Sequence, residues 1–152
     1  MTRKILDEAA TRLVAESLQP LLVNIIDFTL ACKQMHWTIR GPRFLPLHRQ
    51  LDEIVTAART WSDDVAERLA AVGVSPDGRA SNVAQSTTLK PCEAGFMSDA
   101  QAVSRVSDLL AALSAHARTS ISATEREPVT QDLLISITGE IEHHLWLLQS
   151  HE

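Results

Sequence analysis

The stretch "HWTIRGPRFLPLHRQLDEIVTAARTWSDDVAER", His36 to Arg68, sets two histidines around a Gly-Pro break and adds a second group of acids further on. Gly41-Pro42 closes one helical segment. Pro46, tolerated in a first helical turn but not in an interior, marks the start of the next. That segment spans about Leu45 to Val72 and stops at Gly73, a residue suited to helix ends. With His48 set at zero and ~100° per residue, Asp52 falls at ~40°, Asp63 at ~60° and Glu67 at ~100°. The four metal-ligand types therefore share one face of one helix.

A single helix cannot bring them to one ion. His48 and Asp63 are separated by roughly 22 Å at ~1.5 Å per residue, whereas metal bonds to N and O are only ~2.0–2.2 Å long. A second copy packed antiparallel about a two-fold axis would supply the other half. Facing residue numbers then have a constant sum, and His48 with Glu67 shares the same sum as Asp52 with Asp63. Such an isologous contact generates two equivalent sites, one at each end, with His36 delivered from the end of the preceding helix. Two imidazoles with several carboxylates and no thiolate suit iron, manganese or zinc. The simpler alternative leaves His36 at a helix C-terminus and the acids in solvated pairs with Arg49, Arg59 and Arg68.

Around this segment three more long helices are expected. From Leu18 to Thr38 an apolar stripe runs through Leu21, Leu22, Ile25, Ile26, Phe28, Cys32 and Met35. Ser17 and Pro20 mark its start, which leaves residues 1–16 as a short N-terminal arm or helix. Residues Val74 to Met97 hold much of the Gly, Pro, Ser and Thr and read as a long connection, with "SNVAQST" as a short helical turn. A third helix begins at Ser98 and continues to about Ala123. Pro128 opens a fourth, carrying Leu133, Leu134, Ile137, Ile141, Leu145 and Leu148. The expectation is an all-α protein, one domain over residues 1–152, with a ferritin-like four-helix bundle and a long crossover between the second and third helices.

The bulk numbers narrow the function. A chain of 152 residues can bury a real core. Its net charge of −5 argues against a generally nucleic-acid-binding surface. Cys32 and Cys92 make no metal spacing, and a buried thiol is the default for Cys32. No signal-peptide core and no unbroken apolar run of membrane length are visible, so the expected compartment is the cytoplasm, with no membrane partner.

The motif His36-Trp37-x-Ile39-x-Gly41, five residues, then Leu47-His48-x-x-x-Asp52, followed by Asp63-x-Val65-Ala66-Glu67-Arg68, resembles the DNA-binding proteins from starved cells (Dps), the small ferritins of bacteria. The resemblance covers most of the chain. It implies a hollow dodecamer that oxidises Fe(II), usually with hydrogen peroxide, and stores Fe(III) mineral against oxidative damage. It also implies sites shared across a dimer two-fold: His36, His48 and Asp52 from one subunit, with Asp63 and Glu67 from the other. Trp37 matches the tryptophan beside the family's ferroxidase centre, where core packing and quenching of reactive intermediates are both roles to weigh. By the same resemblance, three-fold pores draw on acids near the start of the fourth helix: Asp132 fits best, with Glu125 and Glu127 as further candidates.

Two other readings stand beside ferroxidase and storage. One is a nucleoid-associated DNA-compacting protein with secondary metal binding; Arg3 and Lys4 are the only basic residues that a tail could offer. The other is a metal-binding shell for zinc or manganese without ferroxidase activity. Glu140-x-x-His143 has the form found in intrasubunit di-iron bundles. It occurs in one copy where two are needed, so His143 and His144 read as ordinary residues of the fourth helix.

Overall fold

Asp7 starts the first helix. Its carboxylate accepts a hydrogen bond from the Ala10 amide at 2.8 Å, satisfying one of the free N–H groups of the first turn. In the computed structural model, which describes residues 3–151, α1 then runs unbroken from Glu8 to Thr38. The expected start at Ser17–Pro20 is corrected: residues 8–16 are the opening turns of α1 rather than a separate arm or helix, and residues 1–2 of the expected arm lie outside the described residues. Pro20 removes one backbone hydrogen bond and costs about 3 kcal/mol inside a helix. It stands on the exposed side, while Val14 and Leu18 are completely buried. Each such burial contributes ~1.5–3 kcal/mol, enough to carry the helix through the proline.

The second helix, α2, spans Phe44–Ala71; the third, α3, is the short Ala80–Ser86; α4 spans Asp99–Ala123 and α5 Pro128–Gln149. The four long helices and the short crossover helix match the expected architecture. α1 packs chiefly on α2, and α4 on α5, giving two hairpins whose faces meet through α1 and α4. Between them lies one core that includes Phe28, Cys32, Met35, Leu47, Trp61, Leu110, Leu113 and Ile141. Ser98 caps α4 in a reciprocal capping box with Gln101. By average apolarity α1 could cross a membrane (mean hydropathy 1.3), but half of that window is buried within the bundle.

The α1–α2 turn fixes the end of the bundle where the histidines lie. Ile39–Arg40 forms β1, paired in parallel with β2, Met97–Ser98; this small ladder was not foreseen. Gly41 has φ +141°, and a Cβ there would lie 2.7 Å from the Asp99 carboxylate. That carboxylate accepts from the Arg43 amide at 2.9 Å and from the Arg43 guanidinium at 3.3 Å. Gly41 thus meets two requirements at once: a left-handed backbone and a close approach.

Amides from α1 order the long connection. Asn24 accepts from the Thr88 N–H at 3.0 Å, and its own NH2 donates to Thr88 Oγ1 at 2.8 Å and His116 Nδ1 at 3.0 Å. Gln19 exchanges two hydrogen bonds with the backbone of Asp77.

Candidate metal centre

His36 ends α1 and His48 begins α2, so the tight turn at Gly41 brings them face to face. Their rings stack at 3.7 Å with an 18° tilt. Each ring Nδ1 lies on the other residue's backbone carbonyl, at 2.8 Å for His36 and 2.9 Å for His48. A carbonyl can only accept, so both Nδ1 atoms carry a proton, and in the neutral form of each ring Nε2 is the nitrogen that keeps the lone pair. This is the tautomer a metal ligand needs, held by backbone rather than by chance. His36 is buried, and Phe44 packs against the His48 ring at 5.0 Å.

Asp52, one turn after His48, joins the pair: its Oδ1 lies 3.5 Å from His36 Nδ1. Lys33, one turn before His36, donates from its ammonium to the same oxygen. That hydrogen bond, with further help from His36 and His48, holds the Asp52 carboxyl below its usual range. Lys33 did not figure in the sequence reading. Its place three residues before His36 was the available signal, because that spacing puts it on the same helix face.

Asp63 and Glu67 lie further along α2 on the exposed side, while Trp61, Val65 and Leu69 on its other side are buried. Beside Asp63, a groove of about 590 Å³ opens between α2, α1 and the connection, lined by Arg59, Ser62, Leu22 and Ile26. Among the described residues, no three His, Cys, Asp or Glu side chains converge on a point that could hold a metal. One subunit therefore presents His36, His48 and Asp52 at one place and Asp63 with Glu67 at another. Trp37 is 64% exposed, next to a groove containing Leu30 and Leu89, so core packing is not its role in the single chain.

The three acids assigned to a pore do not share one environment. Asp132 and Glu125 are exposed. Glu127 is buried, accepts from the Thr130 amide at 2.8 Å as the cap of α5, and pairs with Arg68 at 2.9 Å. Burial alone would raise its pKa, yet the bonds from Thr130 and Arg68 bring it below the usual range. Its place as a pore candidate is corrected: this carboxylate is spent inside the subunit. Glu140 is likewise committed, accepting from the Trp61 indole N–H at 2.7 Å.

A ferritin-like domain family matches residues 15–151. The DNA protection during starvation protein of Mycolicibacterium smegmatis is 34% identical over 148 residues, covering 91% of this chain and 76% of that protein. The fine tangled pili major subunit of Haemophilus ducreyi is 30% identical over 145 residues, covering 94% and 76%. Among solved structures, Dps from Microbacterium arborescens in its high-iron form superposes with a TM-score of 0.93 at 26% identity, covering 98% of both chains. Dps of Mycobacterium smegmatis gives 0.93 at 30% identity, covering 99% of this chain and 92% of that one.

The bundle, its crossover helix and this sequence match define a ferritin-like protein. Within that class, the chain belongs to the Dps family. Family membership brings Fe(II) oxidation and iron storage, a dodecameric assembly with metal sites between subunits, and a cytoplasmic setting.

Proposed function

We propose that the ferroxidase centre forms across a dimer two-fold, from His36, His48 and Asp52 of one subunit and from Asp63 and Glu67 of the other, and that hydrogen peroxide is the oxidant. The observation that carries this reading is the reciprocal Nδ1-to-carbonyl bonding of His36 and His48, which leaves two Nε2 lone pairs in a half-built site. Fe(II) is the substrate. The imidazoles bind the incoming ferrous ion, and the carboxylates accept the charge that develops as it becomes ferric. Each peroxide removes one electron from each of two ferrous ions, and the ferric product hydrolyses and passes to the mineral.

The exposed acids Asp132 and Glu125, near the start of α5, suit an entry route for hydrated Fe(II) at the three-fold axis. Trp37, adjacent to His36 and exposed in the single chain, is suited to intercepting reactive intermediates at the shared centre. The test is the double variant His36→Ala/His48→Ala. It should keep the assembly while slowing the initial peroxide-driven Fe(II) oxidation. An unchanged initial rate in the intact double variant refutes the assignment.

A further inference from the structure

The first turn of α2 has no cap of its own. Arg43 stands at the N-cap position, its side chain makes no capping bond, and the turn holds no acid. What fastens it comes from α4. Asp99, the first residue of that helix and 8% exposed, accepts from the Arg43 amide at 2.9 Å and from Arg43 Nε at 3.3 Å. Another arm of the guanidinium donates to the carbonyl of His151, just past α5, at 2.6 Å. The His151 ring in turn donates to Gln50 of α2 at 3.0 Å. On the other side of Gly41, Ile39 and Arg40 pair with Met97 and Ser98, the two residues before Asp99. Both sides of the α1–α2 turn are therefore tied to one short segment, residues 97–99.

We propose that Asp99 and Arg43 are positioning residues for the metal centre: by clamping the α1–α2 turn they fix His36 against His48 and hold both Nε2 atoms in place before a metal arrives. The inference rests on the reading of His36 and His48 as ligands. Each of these rings is oriented by the other residue's backbone carbonyl, so the spacing of the pair is the spacing of two helix ends. Helix ends fray, and a ladder of two residues per strand is marginal alone. An acid in the first turn of α4 is already favoured by the helix dipole, but that role leaves a carboxylate free to face water. Asp99 is instead pressed against Gly41, where a Cβ would come within 2.7 Å, and takes its bonds from across the turn. Partners that orient metal ligands without touching the metal are commonly worth 10–100-fold in affinity. Asp99 acts one step further out, through the backbone, so about tenfold is expected.

The test uses the assembled, metal-free protein and Co(II), whose visible absorption reports the number and geometry of its ligands. Asp99→Ala should weaken Co(II) binding about tenfold and alter the absorption band. Asp99→Asn keeps an oxygen for the Arg43 amide, and Arg43→Met keeps the amide but loses the guanidinium. Each should weaken binding by a smaller factor, and these two decide the matter if Asp99→Ala does not assemble. In Fe(II) oxidation the loss should fall on the half-saturating Fe(II) concentration more than on the maximal rate. A residue that only stabilises the fold would lower Tm and leave affinity, absorption and half-saturation unchanged. That result in assembled variants overturns the clamp.

His36→Ala/His48→Ala separates this inference from the reading beneath it. Co(II) bound there as tightly as in wild type would sink the ligand reading itself. Binding lost there, but indifferent to the Asp99 and Arg43 variants, sinks only the positioning role. Adding Asp99→Asn to the histidine double variant should change nothing further, because its route to the metal is gone. A further loss would show Asp99 acting by another route, and would overturn the clamp.

Discussion

The ammonium of Lys33 occupies the carboxylate of Asp52, the same oxygen that approaches His36. In the proposed site a cation of the protein's own thus sits at the edge of the metal position, and on that reading iron would compete with it. Replacing Lys33 by Met keeps the stem that packs along α1 and removes the charge. Lys33→Met should bind Zn(II), a redox-silent probe, several-fold more tightly at low salt, with the advantage shrinking as salt rises. Calorimetric titration of the two proteins checks this. Equal affinities would mean that the ion pair is incidental.

Glu127 and Asp132 are both acids near the start of α5, and their variants should separate cleanly. Glu127→Ala removes a helix cap and leaves the 14%-exposed Arg68 without its partner. Losing a cap costs ~1 kcal/mol, and breaking a buried pair ~3–5, so a loss of about 3 kcal/mol or more is expected in denaturant unfolding. Asp132→Asn should leave stability within ~0.5 kcal/mol, as surface changes usually do, while slowing iron uptake into the cage.

How the sequence was legible follows from where its signals were local. The helix stop at Gly73, the Ser98 cap and the Pro128 start are single-residue signals and were read almost to the residue. The start of α1 was misplaced because Pro20 is a strong local signal overruled by tertiary burial of Val14 and Leu18, which no local pattern displays. The histidines and acids could be grouped by helical phase. Their hydrogen bonds could not, since the reciprocal carbonyl contacts depend on the turn geometry at Gly41. Glu127 looked like a surface acid because acids favour helix starts; only its distant partner, Arg68, shows where the charge goes.

DNA compaction remains the test of the other reading. The chain carries a net charge of −5, and Lys4, one of its few N-terminal cations, pairs with Glu8 at 3.2 Å. Phosphate binding draws on unpaired cations and weakens steeply with salt. Band-shift titrations at low and physiological salt should show at most weak retention that vanishes at the higher salt. Tight retention would reverse the ranking.

His116 makes the fold sensitive to mild acid. Its Nδ1 accepts from Asn24, whose other contacts anchor the connection at Thr88, and burial lowers its pKa from 6.5. The unfolded chain therefore takes up the proton at a higher pH than the native one. Stability is full above about pH 6.5 and falls as the pH drops toward the native pKa, below which the contribution is gone. His144 is shifted in the same direction, by burial first and then by His143. Thermal unfolding across pH 5 to 8, a range spanning the ordinary histidine pKa, should show Tm falling toward acid. His116→Gln should flatten that slope, and a parallel slope in the variant would place the sensitivity elsewhere.

The shared site makes a prediction that no intrasubunit centre could satisfy. On the proposed assignment, His36→Ala/His48→Ala removes one half of the site, and Asp63→Ala/Glu67→Ala removes the other. Alone, each double variant should lack rapid Fe(II) oxidation. Mixed one to one, unfolded and reassembled together, they form hybrid dimers in which the two-fold brings both damaged halves into one site and both intact halves into the other. With random pairing, about half of the dimers are hybrids and each regains one of its two sites, so roughly a quarter of the wild-type initial rate should return. Reassembled mixtures that stay as inactive as either parent would show that the histidines and the acids do not meet across a subunit boundary.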